Sequence, residues 1–186
     1  MHKQTGYTLI ELLVVITLMV LLLGGGVATY FQFEERQSAE VAARRLHEAF
    51  ITARAKARFR ERVDCPTDSV IGFRTNLRND GTLIRVDILT ICGSDRNNYD
   101  YLPEPNAVQD ESLATVVYTL PNGVALESPV PATLPYVVDF FTLYGGAKLN
   151  NVDTNDTVDI TVSRGSARYG FSVDRGADIS PVVKLN

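Results

Sequence analysis

The chain of 186 residues has no tryptophan and only two histidines, two cysteines and two methionines. Cys65 and Cys92 with His47, which falls on a different element, make a poor zinc ligand set. Phosphate-loop, Gly-x-Ser-x-Gly and His-Glu-x-x-His patterns are all missing. His47 sits among arginines and reads as a surface residue rather than a base. Nothing nominates a catalytic constellation, and the chain reads as a non-enzyme without a cofactor. Charge is also missing where it matters: between Lys3 and Glu34 only Glu11 is charged at neutral pH. Proline is absent before Pro66, so nothing in the first third stops a helix.

What fills that first third is apolar. From Tyr7 to Leu23, and on through Val27, Ala28, Thr29, Tyr30 and Phe31, the run is long enough for a membrane helix, which needs about 20 residues. A cleaved signal peptide would place a small-residue site after the run. Here the small residue, Gly6, precedes it, so a cut there keeps the apolar helix in the mature chain. Lys3 favours a cytoplasmic start with the remainder outside. Glu11 is then the odd residue, because a carboxylate in a membrane helix costs roughly 2.5–3.5 kcal/mol. It either snorkels to the headgroups or finds a partner.

Gly6, the aromatic Tyr7, Glu11 at the fifth position after the glycine, and the uninterrupted apolar run resemble the type IV prepilin N-terminus. Pilins and the pseudopilins of type II secretion share it. The resemblance covers about the first thirty residues. It implies cleavage between Gly6 and Tyr7 by prepilin peptidase and N-methylation of Tyr7, although the family usually has phenylalanine at that place. It also implies that Glu11 pairs with the new terminal amine of a neighbouring subunit. Partners would be other pilin or pseudopilin subunits, the peptidase, an inner-membrane assembly platform and, before assembly, membrane lipid. The chain would be a single-pass protein of the bacterial inner membrane with its head outside the cytoplasm, and later part of a filament. Gly24-Gly25-Gly26 weakens the helix by about 1 kcal/mol per glycine. It reads as a place to loosen in a filament or as a close helix contact.

These features divide the chain into a leader (1–6), an assembly helix (7–31), an amphipathic helix (32–62) and a β-rich head (63–186). Ala39, Ala42, Leu46, Ala49, Phe50, Ala53 and Ala57 recur at helical spacing. One helix from Tyr7 to Arg62 would be about 80 Å long. The alanine-rich face is similar to that of H-type minor pseudopilins and related minor pilins. From Arg36 to Arg62 eight Arg/Lys face three Glu, whereas from Val63 onward nine Arg/Lys face sixteen Asp/Glu. A basic stalk therefore carries an acidic head. The cluster Arg54, Lys56, Arg58, Arg60, Arg62 suits an anionic membrane, the acidic head of another subunit, or nucleic acid.

Beyond Arg62 the pattern becomes strands. Val70–Thr75 and Leu83–Cys92 flank the hairpin signal Asn79-Asp80-Gly81. Thr115–Leu120, Val137–Leu143, Val158–Ser163, Tyr169–Val173 and Pro181–Leu185 follow, with turns at Pro121-Asn122-Gly123, Gly145-Gly146 and Arg164-Gly165-Ser166. Gly93–Ser112 has no period and reads as a loop, the kind of segment that often carries an interaction surface. The fold class is α+β: a long N-terminal helix packed on a small antiparallel head. In an exported head, Cys65 and Cys92 read as a disulfide, against the alternative of two buried free thiols. Asp153, Asn155, Asp156 and Asp159 form a candidate calcium loop, with Asp95–Asp100 a weaker one; such residues also make ordinary turns. The leading reading is a minor pilin or pseudopilin, a structural subunit of a type IV pilus or type II secretion pseudopilus. The alternative is a minor pilin that binds DNA during uptake through Arg164, Arg168 and Arg175.

Overall fold

The computed structural model describes residues 8–59, 69–80, 83–95, 98–100, 114–128, 136–142, 146–149 and 157–186. A single helix, α1, runs from Leu9 to Phe59, about 76 Å at 1.5 Å per residue. It passes through Gly24-Gly25-Gly26 without a break. Thr8 starts it: the Thr8 hydroxyl accepts a hydrogen bond from the Glu11 N–H at 3.3 Å, and the Thr8 carbonyl accepts from Leu12 N–H. Thr-x-x-Glu at a helix start is the capping-box pattern.

The two halves of α1 live in different surroundings. Every large apolar side chain described from Leu9 to Leu22 is exposed, from 43 % at Val15 to 79 % at Leu9. Tyr30, Phe31 and Phe33 are exposed as well. From Ala39 onward one face is sealed: Ala39, Ala42, Ala43, Leu46, Ala49, Phe50, Ala53 and Ala57 are at most 2 % exposed. The sealed positions are those that the helical spacing picked out, with Ala43 added.

Two antiparallel sheets form the head. The first contains β1 (Ser69–Asp80), β2 (Leu83–Asp95), β3 (Asn98–Asp100), β4 (Ala114–Thr119), β6 (Tyr136–Phe141) and β7 (Ala147–Leu149), the second β5 (Ala125–Ser128), β8 (Thr157–Arg164), β9 (Ala167–Asp174) and β10 (Val183–Leu185). In the first sheet the order is β3-β2-β1-β6-β7, and β4 joins β3 on the outer edge of β2. In the second the order is β10-β9-β8-β5. The Ala147 N–H donates to the Arg175 carbonyl and links the sheets. One apolar core joins α1 to both, with Phe50 edge-on to Phe140 and Phe171.

Strand alternation explains which side chains enter this core. Phe73, Thr75 and Leu77 of β1 are fully buried. The intervening Arg74, Asn76 and Arg78 take the opposite face of the sheet. That face is charged yet also buried: Arg74 is 6 % and Asp139 1 % exposed. Arg74 grips Asp139 with two bonds, Nε–Oδ1 at 2.6 Å and Nη2–Oδ2 at 2.8 Å. Arg78 pairs with the buried Asp87 beside them. Gly72 follows a bulge in β1, and a Cβ there would run into the Phe140 carbonyl.

The α+β expectation therefore agrees with the structure, and several local readings are corrected. β2 continues to Asp95 and β3 follows at Asn98–Asp100, inside the stretch read as loop. Pairing with β2 makes β3 a strand although its sequence shows no alternation. β5 and β7 were not anticipated. Each is four residues or fewer, too short for a period to register.

Candidate assembly site

Gly6 and Tyr7 lie outside the described residues. Glu11 lies in the first turn of α1 and is exposed. A carboxylate there is favoured by the unpaired N–H groups and partial positive charge of a helix start. Among the described residues no helix is long and apolar enough to cross a membrane. The expected span, 7–31, includes Tyr7 and the side chains of residues 23–28, which are outside the description.

A clasp holds the helix where its bare part ends. The turn between β8 and β9 reaches α1 through Arg164, which donates to Ser38 Oγ and, at 2.9 Å, to Glu34 Oε1. Gly165 in that turn has φ +57°, and a Cβ there would collide with the Glu35 carboxylate. Further along, Arg45 donates to the Thr119 carbonyl at 3.2 Å, and Arg54 pairs with Asp178 at 2.7 Å. The basic stalk thus makes specific bonds to its own head.

His47 belongs to this packing and is not a free surface residue. Its ring stands edge-on to Phe171, with centroids 5.2 Å apart, and Nε2 lies 3.0 Å from the Ser180 carbonyl. A carbonyl only accepts, so Nε2 carries the proton.

The three arginines of the DNA reading are not gathered into one patch. Arg164 is committed to Glu34 and Ser38. Arg168 bonds Glu127, Nε to Oε2 at 2.7 Å. Arg175 is exposed, in the turn after β9. The Glu127 carboxyl is held below its ordinary value, first by the Ser163 hydroxyl and then by Arg168, with desolvation opposing. Tyr136, fully buried, has its phenol pushed far up by desolvation.

Of the calcium candidates, Asp153, Asn155 and Asp156 lie outside the described residues. Asp159 is exposed on β8, and its carbonyl accepts from the Ser128 hydroxyl. Among the described residues no acidic, histidine or cysteine group is arranged to hold a metal. Cys92 is 5 % exposed on β2, and no described cysteine is a free thiol. Cys65 lies outside the described residues.

Sequence reasoning missed two contributors. Thr8 was legible as the first member of Thr-x-x-Glu. Arg164 was noticed for its charge, but its helix partners stand 126 and 130 residues away in the chain.

Comparison with known proteins adds one match. Residues 1–27 match the prokaryotic N-terminal methylation motif. This is the signature of type IV pilins and pseudopilins, and the chain carries it. No curated protein and no solved structure matches the chain.

Proposed function

We propose that this chain is a structural subunit of a type IV pilus or type II secretion pseudopilus, of the minor, H-like kind. It is made as a prepilin, cut after Gly6, N-methylated on Tyr7 and held in the bacterial inner membrane by residues 7–31. The head stays outside the cytoplasm until the assembly platform draws the subunit into a filament. The observation that carries this reading is the methylation motif at residues 1–27, together with a helix whose apolar side chains from Leu9 to Leu22 are exposed. That exposed surface has no use in an isolated water-soluble domain. It fits lipid first and neighbouring helices later.

Glu11 is the register device in this reading. Buried alone it is costly, and opposite the amine of Tyr7 in an adjacent subunit the two charges neutralise each other. Cys65 and Cys92 form a disulfide that ties the exit of α1 to β2. A bridge closing about 28 residues adds roughly 3.5 kcal/mol in the chain-entropy model. Both thiols then resist alkylation until the protein is reduced. The DNA-uptake alternative draws less support, because phosphate would have to compete with Glu34 and Glu127 for Arg164 and Arg168.

Co-expression with a prepilin peptidase tests the assignment. Intact mass should show loss of residues 1–6 and gain of one methyl group on Tyr7, and Gly6→Val should block both changes. An uncut chain in the presence of active peptidase would refute the reading.

A further inference from the structure

We propose that Arg36, where the bare half of α1 meets the head, binds the phosphate group of an anionic phospholipid in the leaflet nearest the head. Arg36 is the first cation after Lys3. It is exposed and makes no ion pair among the described residues. The acids around it are engaged elsewhere. Glu34 pairs with Arg164, and Glu40 accepts two bonds from Arg44. Glu35 lies against the Gly165 turn, on the head side of the helix. An arginine left without an opposite charge favours an anion, and its planar fork suits phosphate.

The setting is that of a lipid headgroup. Tyr30, Phe31 and Phe33 are 63 %, 57 % and 63 % exposed, within two turns before Arg36. Exposed aromatic rings collect at the boundary between membrane and water. From Leu9 to Tyr30 the helix rises about 32 Å, close to the roughly 30 Å of a hydrocarbon core. Arg36 stands about 9 Å beyond Tyr30. Helical side chains lean toward the N-terminus, and arginine reaches back along its apolar stem. The guanidinium therefore falls within the headgroup layer, which is about 5–7 Å deep on each side.

A groove of about 520 Å³ between α1 and β9 gives the headgroup room, with Phe33, Arg36, Gln37, Arg44 and Tyr169 in its walls. Lys184 stands opposite Tyr169 across the β9–β10 ladder, exposed and without an ion pair among the described residues. Arg36, Arg44 and Lys184 outnumber Glu40 on this flank. That surplus favours a lipid of net negative charge over a zwitterionic one. The inference rests on the membrane reading above and names a ligand within it.

The chain has no tryptophan, so Phe33→Trp gives the full-length protein one fluorescent reporter beside Arg36. The protein is reconstituted in vesicles of phosphatidylcholine and phosphatidylglycerol of one fixed composition. Bromine, which quenches tryptophan, is carried near the headgroup end of the acyl chains by one lipid or by an equal amount of the other. Quenching should report about fivefold enrichment of phosphatidylglycerol at the reporter, equivalent to about 1 kcal/mol for one arginine at an anionic surface. Arg36→Gln should abolish the enrichment. Arg58→Gln, exposed and about 33 Å further along α1, should leave it unchanged. Both side chains are exposed, so unchanged thermal transitions will show that the variants fold. Equal quenching by the two lipids, equal loss from the two variants, or stronger quenching from bromine at the chain ends would each overturn the site. Loss of the enrichment on adding inorganic phosphate at constant ionic strength would assign Arg36 to the free ion instead. A reporter shielded from both lipids, with cross-links between copies, would give this flank to a second copy. Failure of the two readings is separable: a chain cut after Gly6 that shows no enrichment loses this inference alone, and an uncut chain that shows it keeps the lipid site without the pilin assignment.

Discussion

At the scale of single residues, the head depends on charges that it buries. Asp139 is 1 % exposed and held by both arms of the Arg74 guanidinium. Removing one partner leaves the other charge buried and unpaired, which typically costs 3–5 kcal/mol. Asp139→Ala should therefore lower stability by about that much in urea unfolding, more than Asp159→Ala on the exposed face of β8. A second residue-scale expectation concerns acid. The folded Glu127 carboxyl titrates below its ordinary value of 4.5, mainly because Ser163 donates to it. A lowered carboxylate stabilises the fold above its unfolded value, and the effect disappears as pH falls through the folded value. Ser163→Ala should raise the Glu127 value and remove part of the stability lost on acidification below about pH 4.5. Carbon-detected NMR titration of Glu127 checks the shift, and melting at pH 7 and pH 3 checks the stability.

At the scale of elements, α1 is two helices in one. Its second half is narrow because alanine dominates the sealed face, which lets the backbone come close to both sheets. Ala53 is 0 % exposed within the core. Ala53→Leu adds carbon where no space remains, and overpacking of this kind costs about 1–3 kcal/mol. The midpoint of thermal unfolding should fall, and Ala55→Leu, at a half-buried position, should cost less. A Leu variant at position 53 as stable as the parent would show that the helix can lift from the sheets. The first half has no such constraint from its own head, and its exposed leucines and valines are available to lipid and to other helices.

At the scale of the whole molecule, the bare helix, the clasp at Arg164 and the head form one lever. Glu11 is at its far end. Glu11→Ala removes a charge that is costly in a membrane, so insertion of the monomer should be equal or better. In the proposed role Glu11 fixes the incoming subunit, so entry into the filament should fall. Membrane fractionation and immunoblots of sheared filaments measure the two arms. Equal amounts of parent and variant in filaments would exclude the register role, and a snorkelling glutamate would leave both arms unchanged.

Sequence alone determined the apolar start, the methylation motif, the continuous helix and the alanine face of α1. Each is written in residues close together, as a period of 3.6 or as a short fixed spacing, and needs no distant partner to be read. The longer strands and the turns at Pro121–Gly123 and Arg164–Ser166 were legible for the same reason. Tertiary structure alone decided the rest. β3, β5 and β7 are strands because a neighbouring strand takes up their N–H and C=O groups, not because their few residues alternate. Arg164 became a clasp and Arg74 half of a buried pair because folding brought Glu34 and Asp139 to them across long stretches of chain. His47 is half-buried for the same reason, because Phe171 and Ser180 meet its ring. A side chain's charge is visible in the sequence, but which opposite charge it meets depends on how the sheets stack against α1.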